Sequence, residues 1–140
     1  MQLKRFASYC FIGLFVATCA VLAPPASVVR AQDSAPQVIE MSAKKYEFTP
    51  VRVKAGTKVQ LKVTATDRDH GIAIETVADG AAKGSAPGLV IDSPEKCWKL
   101  PKGEVVTINF TAQTAGTYQI KCCVHCGLGH GGMKGTIVVE

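Results

Sequence analysis

The residues with the greatest capacity for chemistry lie in one short stretch near the C-terminus, CCVHCGLGHGGMKG, residues 122–135. Three cysteines, two histidines and one methionine occupy twelve successive positions there. Thiolate and imidazole ligands together select copper, zinc or iron–sulfur chemistry. Five glycines in the same stretch allow the backbone to turn tightly around a bound ion. The stretch is therefore a candidate metal-binding loop.

The number and grouping of the ligands distinguish between these metals. Structural zinc sites use two separated ligand pairs, whereas His70 and Cys97 stand singly upstream of the loop. An iron–sulfur cluster normally takes four thiolates, and the loop has three cysteines at most. One loop with Cys, His and Met, together with one distant histidine, is typical of copper electron-transfer sites. The pattern favours copper, with His70 as the distant ligand.

The N-terminal segment has the parts of a secretory signal. Lys4 and Arg5 precede an apolar run over residues 6–23, and the pattern Val-Arg-Ala at 29–31 predicts cleavage after Ala31. The alternative is a retained anchor, because a run of about 18 residues is just long enough to span a bilayer. Both interpretations predict an exported protein in the periplasm or another extracytoplasmic compartment.

Removing residues 1–31 reduces the basic character of the chain. Three of the 16 basic residues are lost and all 11 acidic residues remain, so 13 basic residues leave a net charge of +2 instead of +5. The sequence has no cluster of Lys and Arg with interleaved aromatic residues. Nucleic-acid binding is therefore not supported.

Four cysteines lie beyond the cleavage point, at positions 97, 122, 123 and 126. Disulfides persist in exported proteins, but adjacent cysteines such as Cys122 and Cys123 rarely pair with each other because their Cα atoms are too close. A thiol that stays free in an oxidising compartment is usually a metal ligand. Cys123 follows Cys122 on a strand, so the two side chains point to opposite faces. We therefore interpret Cys123 as a small buried residue and not as a ligand. Cys97 is either a buried thiol or the partner of Cys123.

From Val38 onward the sequence alternates between short apolar strands and turn residues. Residues 59–63 and 105–110 show period-two alternation, and their apolar faces, with those of residues 118–120 and 136–139, could supply one core. No ten-residue amphipathic helix follows the signal segment. Seven or eight strands at near-regular spacing predict an all-β sandwich or barrel. The predicted organisation is a signal or anchor (1–31), a linker (32–37) and one folded domain (38–140).

The spacing Cys122-x3-Cys126-x3-His130-x2-Met133 resembles the ligand loop of the CuA family. That family includes the copper domain of cytochrome c oxidase subunit II and the C-terminal domain of nitrous-oxide reductase. The upstream segment DRDHGIAIE is similar to the family's first-histidine segment, which contains His70 here. The likeness covers roughly residues 38–140 and implies a cupredoxin-like Greek-key β-sandwich.

The resemblance also implies a binuclear copper centre with a role for each matching residue. Two thiolates would bridge the copper ions, one imidazole would bind each ion, and a thioether and a backbone carbonyl would be weak axial ligands. Such a centre suits one-electron transfer with a cytochrome or terminal oxidase, and no small-molecule substrate is expected. The resemblance implies Cys122 and Cys126 as the bridging thiolates and His70 and His130 as the imidazoles, one for each ion. It implies Met133 as the thioether and Val124, where the family usually has Glu or Trp, as the residue whose carbonyl is the other axial ligand.

Two other functions remain open at this point. Cys122, His125 and His130 with His70 could bind a single copper ion, as in blue or red mononuclear copper proteins, and Cys126 would then be unused. A copper-delivery or storage protein is the third interpretation, although a Met-rich segment would be expected for it. Asp67 and Asp69 are predicted turn residues, one of which could orient the imidazole of His70, and Trp98 is interpreted as a packing residue.

Overall fold

The computed structural model describes residues 35–140, so the predicted signal or anchor segment lies outside the described residues. Within that part of the chain no helix is long and apolar enough to cross a membrane. Over residues 35–140 the regular structure consists of ten strands and one short 3₁₀ turn at His130–Gly132. The strands are β1 (Gln37–Lys44), β2 (Glu47–Phe48), β3 (Val51–Val53), β4 (Thr57–Ala65), β5 (His70–Ile74), β6 (Leu89–Ile91), β7 (Trp98–Leu100), β8 (Val105–Ala112), β9 (Gly116–Lys121) and β10 (Lys134–Val139).

The predicted all-β architecture is confirmed, with more strands than the seven or eight expected. The apolar segment before Pro50 is divided into β1 and β2, which pair with each other through Ala43↔Phe48 and Lys44↔Glu47. The three-residue strand β7 was not predicted, because WKL before Pro101 is too short to show alternation. Short strands such as these are specified by their partners rather than by their own sequence.

The strands form one curled sheet in the order β6-β8-β4-β1-β2-β10-β9-β5-β7, and β3 pairs with β10. β1 and β4 run parallel, as do β3 and β10, while β4–β8 and β9–β10 are antiparallel. The sheet curls far enough for β7, at one end of this order, to lie against β8 and β4. The two halves therefore enclose a single core.

The core is built from the alternating faces that the sequence predicted. In β4, Val59, Leu61 and Val63 are buried while the intervening residues are partly exposed. Ile108 and Phe110 of β8 are buried in the same way. Each such side chain contributes about 1.5–3 kcal/mol of hydrophobic free energy relative to an exposed position. The remaining predicted segments are confirmed by buried Tyr118, Ile120, Ile137 and Val139.

The register of two ladders determines where the loop and the distant histidine meet. Lys121 of β9 pairs with Lys134 of β10, so residues 122–133 form the connection between these strands. The base of that connection is closed by a hydrogen bond from the Cys122 N–H to the Met133 carbonyl, 3.2 Å. Lys121 also pairs with Ala73 of β5. The first residue of β5, His70, therefore lies at the same end of the sheet as the loop.

Candidate metal centre

Two buried thiols form the centre of the site. Cys122 and Cys126 are free cysteines, and their side chains are almost fully shielded from solvent. Their Sγ atoms lie 3.7 Å apart. The Sγ atom of Cys126 also lies 3.7 Å from Nδ1 of His130. Two sulfurs and one imidazole nitrogen thus face the same small volume.

His70 supplies a second imidazole nitrogen. Its ligand atom and those of Cys122 and Cys126 lie within 4.8 Å of one another. The side chain is buried, its Nε2 is hydrogen-bonded to Oδ1 of Asp67 at 2.7 Å, and its Nδ1 has no hydrogen-bond partner among the described residues. A buried polar atom is rarely left unpartnered. An unpaired imidazole nitrogen beside two thiols fits a metal ligand, because the second nitrogen of a metal-binding histidine is usually held by a carboxylate.

The charge state of Asp67 fixes the tautomer of His70. Burial opposes ionisation of Asp67, but the hydrogen bonds from His70 and from the Lys45 backbone N–H outweigh it, and the pKa of Asp67 is lowered. An ionised carboxylate can only accept, so Nε2 of His70 carries the proton that it donates. In the neutral imidazole Nδ1 is then the unprotonated nitrogen, with its lone pair available to a metal ion.

The Cys126 thiol favours its protonated form when no cation is present. Burial, followed by the hydrogen bond and the proximity of Cys122, raises the pKa of the Cys126 thiol. Arg68 has a smaller, opposite effect on the same pKa. Two thiolates this close together would repel each other in an interior of low dielectric constant. A metal ion between them would remove that repulsion and displace the protons.

The two residues predicted as weak axial ligands lie beside this cluster. The carbonyl oxygen of Val124 is 3.2 Å from Sγ of Cys122. Met133 is buried, and its backbone closes the 3₁₀ turn through a hydrogen bond from its N–H to the carbonyl of His130, 3.1 Å. The loop thus brings the Val124 carbonyl and Nδ1 of His130 to the thiol pair and holds the Met133 backbone at its base, and the fold adds His70.

The residues outside the predicted ligand set are placed differently. His125 is exposed, and its ring centroid lies 5.6 Å from that of His130. Cys123 forms a disulfide with Cys97, which was one of the two alternatives for Cys97. Trp98 is buried in the hydrophobic core, consistent with packing.

Arg68 and Gly71 contact the site and were not predicted. Nη1 of Arg68 donates to the Cys126 carbonyl at 3.0 Å. Gly71 provides the space in which the loop rests, because a Cβ atom built there would lie 2.5 Å from Cγ2 of Val124 and 2.9 Å from Sγ of Cys123. The spacing Asp-x-x-His in the sequence indicated Asp67 as a residue that could orient the imidazole of His70. No sequence pattern pointed to Arg68 or to Gly71, because both act through contacts with a segment more than 50 residues away.

Comparison with known proteins finds relatives in sequence among cytochrome c oxidase subunits. Cytochrome c oxidase subunit 2 of Thermus thermophilus is 35% identical over 95 residues, which are 68% of this chain and 58% of that protein. The match to cytochrome c oxidase subunit 2 from a further strain of the same species is also 35% identical and covers 46% of it. The chain thus spans about half the length of these relatives.

Solved structures share the fold at lower identity. The periplasmic domain of subunit II of cytochrome oxidase from Bradyrhizobium japonicum is 15% identical with a TM-score of 0.55, covering 76% of this chain and 86% of that chain. Auracyanin A, a "blue" copper protein from Chloroflexus aurantiacus, is 21% identical with a TM-score of 0.53, covering 76% of this chain and all of the other. The fold is thus common to an oxidase subunit domain and a blue copper protein.

The sequence matches the model of the cupredoxin-like domain over residues 11–139, nearly its whole length. That match agrees with the curled all-β sheet and with a thiol–imidazole cluster at one end of it. On these grounds the chain is a member of the cupredoxin-like family.

Proposed function

We propose that this protein is an exported electron carrier with a binuclear copper centre of the CuA type. The observation that carries the proposal is the pair of free, buried thiols 3.7 Å apart, with Nδ1 of His70 unpartnered beside them. The proposed ligands are the side chains of His70, Cys122, Cys126, His130 and Met133 and the carbonyl of Val124.

The environments of Cys126 and His125 favour two copper ions over one. A single copper bound by His70, Cys122, His125 and His130 would leave Cys126 without a role. Yet Cys126 is buried, and its sulfur lies 3.7 Å from both the Cys122 sulfur and Nδ1 of His130. His125, by contrast, is exposed to solvent. A pair of copper ions held by both thiolates, without His125, would account for both observations.

Copper bound at this site would supply reversible one-electron oxidation and reduction. The contribution of the chain is to hold the donor atoms in nearly fixed positions. The β9–β10 ladder holds both ends of the loop, and the Asp67 carboxylate fixes the ring of His70. Burial of both thiols excludes water from the centre. His130 is half-buried and lies 3.7 Å from the Cys126 sulfur, so its imidazole offers a route from the thiol pair to the surface.

The similarity to cytochrome c oxidase subunit 2 supports a place beside a respiratory enzyme. We infer that the redox partner is a cytochrome or a terminal oxidase and that the domain lies in the periplasm or another extracytoplasmic compartment. The predicted signal segment would deliver it there, either by cleavage after Ala31 or as an anchor formed by residues 6–23.

The test is to load the full chain with copper, count the copper ions per protein and record the electron spin resonance spectrum. The expected result is two ions whose hyperfine splitting arises from two equivalent nuclei. Cys126→Ser should abolish that spectrum, and His125→Ala, the matched control in the same loop, should preserve it. One copper split by a single nucleus, together with loss of binding in His125→Ala, would instead establish the mononuclear site.

A further inference from the structure

The Cys97–Cys123 disulfide joins the two parts of the chain that carry the proposed ligands. Cys123 lies between Cys122, whose thiol is in the cluster, and Val124, whose carbonyl lies beside that thiol. Cys97 directly precedes β7 (Trp98–Leu100), which pairs with the first half of β5. The bond therefore runs from the loop to the strand beside His70.

Backbone hydrogen bonding alone does not make this connection. β5 and β9 pair at Ala73↔Lys121 and Ile74↔Ile120. The His70 end of β5 pairs instead with β7, through His70↔Leu100, Gly71↔Lys99 and Ile72↔Trp98. β7 has only three residues and ends the strand order of the sheet. The disulfide thus crosses from β7 to the loop where the β5–β9 ladder has ended.

The disulfide also packs directly against the backbone next to His70. A Cβ atom on Gly71 would lie 2.9 Å from Sγ of Cys123 and the same distance from Cβ of Val124. This close approach places the Cys122–Val124 segment on the residue that follows His70. A covalent bond from the same segment to β7 limits its movement away from β5, because a closed disulfide fixes the separation of the two Cα atoms, here 5.9 Å.

We infer that the Cys97–Cys123 disulfide is a positioning element for the metal centre. It holds the thiol of Cys122 and the carbonyl of Val124 against the imidazole of His70. It also occupies Cys123, so the loop presents only two free thiols, those of Cys122 and Cys126. This inference rests on the proposed function for its metal, but its effect on the thiols exists in the metal-free protein.

The test compares the full chain with the double variant Cys97→Ala/Cys123→Ala. In the metal-free proteins, alkylation of Cys122 and Cys126 by iodoacetamide under native conditions should be about tenfold faster, or more, without the disulfide. In the copper-loaded proteins, transfer of copper to a soluble chelator should accelerate about 10–100-fold, the usual effect of removing a residue that orients a ligand.

A matched control separates positioning from general stability. Val53→Ala removes buried side-chain atoms from β3. Val53 pairs with Val139, at the end of β10 that is far from the loop. At a temperature well below the unfolding midpoints of all variants, it should leave alkylation and copper transfer close to wild type. The inference is overturned if the double variant matches wild type, or if Val53→Ala raises both rates equally.

Two further outcomes are distinguishable. If wild type binds no copper but the double variant is still alkylated faster, the proposed function fails and the positioning of the thiols stands. If the double variant does not fold, Gly71→Ala replaces it, since the new Cβ displaces Cys123 and Val124 while the disulfide remains. The control is Gly131→Ala, where no heavy atom lies within 4 Å of the new Cβ. We then expect Cys122 to be alkylated faster in Gly71→Ala than in Gly131→Ala, and equal rates contradict the inference.

Discussion

At the scale of single residues, the proposed ligands are held in place by neighbouring groups. Asp67 accepts from Nε2 of His70 and also receives the Lys45 backbone N–H. Its ionised carboxylate selects the tautomer in which Nδ1 is free to bind a metal. The next residue, Arg68, donates to the Cys126 carbonyl. Two successive residues, Asp67 and Arg68, thus connect the two ligand-bearing parts of the chain.

We expect Asp67→Ala to weaken copper binding by about 10–100-fold, because the imidazole of His70 loses the partner that fixes its ring and its tautomer. Asp69→Ala is the matched control, since the Asp69 carboxylate accepts from the Lys102 N–H at 2.8 Å and not from His70. Competition with a copper chelator at fixed pH measures both. Equal affinities in Asp67→Ala and wild type would show that ring orientation does not depend on the carboxylate.

The parts of the site that show as spacing in the sequence were predictable, and the parts that depend on distant contacts were not. Cys122, Cys126 and His130 lie within one loop, so their i, i+4 and i+8 separations were visible in the sequence. The position of His70 beside the loop depends on the β5–β9 register, which has no local signature in the sequence. His70 was predicted as a ligand only because it is a histidine and because its segment resembles that of the CuA family. Arg68 could not be predicted, since nothing in an exposed-looking Asp-Arg-Asp turn indicates a contact with a carbonyl 58 residues away.

At the scale of elements, the loop takes its position from how closely β10 approaches β2. Gly135 follows the loop, and a Cβ built on it would lie 2.6 Å from Cβ of Phe48 and 3.1 Å from the Phe48 carbonyl oxygen. Phe48 is fully buried and cannot move outward. The glycine therefore permits β10 to begin directly after the loop while it remains in contact with the core.

Gly135→Ala is expected to lower the free energy of unfolding by about 1–3 kcal/mol, the usual cost of overpacking a buried contact. Gly131→Ala lies in the preceding loop, where no heavy atom is within 4 Å of the new Cβ, and should change the free energy of unfolding by less than about 0.5 kcal/mol. Chemical denaturation of both metal-free variants measures the difference. Equal stabilities would mean that β10 can shift away from Phe48 without loss of packing.

The longer strands were predictable and the short ones were not. β4 and β8 alternate over most of their length, and their buried faces follow from that period. β9 and β10 each bury two residues at the same spacing, although the apolar run at 137–139 does not alternate in the sequence. β2 and β7 have two and three residues, so their existence depends on pairing with β1 and β5. The β7 pairing also determines the disulfide, because it brings Cys97 to Cys123. The disulfide therefore stayed one of two alternatives until the pairing was known.

At the scale of the whole molecule, the face around the metal centre combines one exposed apolar side chain with basic groups. Leu128 lies at the tip of the loop with 94% of its surface exposed. The ring of Tyr46 lies against Gly129, and Nζ of Lys45 is 5.9 Å from the centroid of that ring. Arg68 reaches the same loop and is partly exposed. Because the Asp67 carboxylate lies 3.9 Å from the Arg68 guanidinium and offsets its charge, Lys45 is the basic group expected to attract anionic reagents to this face.

This charge can be measured with a small anionic oxidant. For the reduced, copper-loaded protein, oxidation by hexacyanoferrate(III) should slow as ionic strength rises, because salt screens the attraction. Lys45→Glu should reduce the rate constant about twofold to fivefold at low salt, and Lys83→Glu, the matched control in the exposed 79–88 segment, should change it little. Stopped-flow absorbance gives both values. The same decrease in both variants would show that only net charge matters, whereas a decrease confined to Lys45→Glu would show that electrons leave through the loop face.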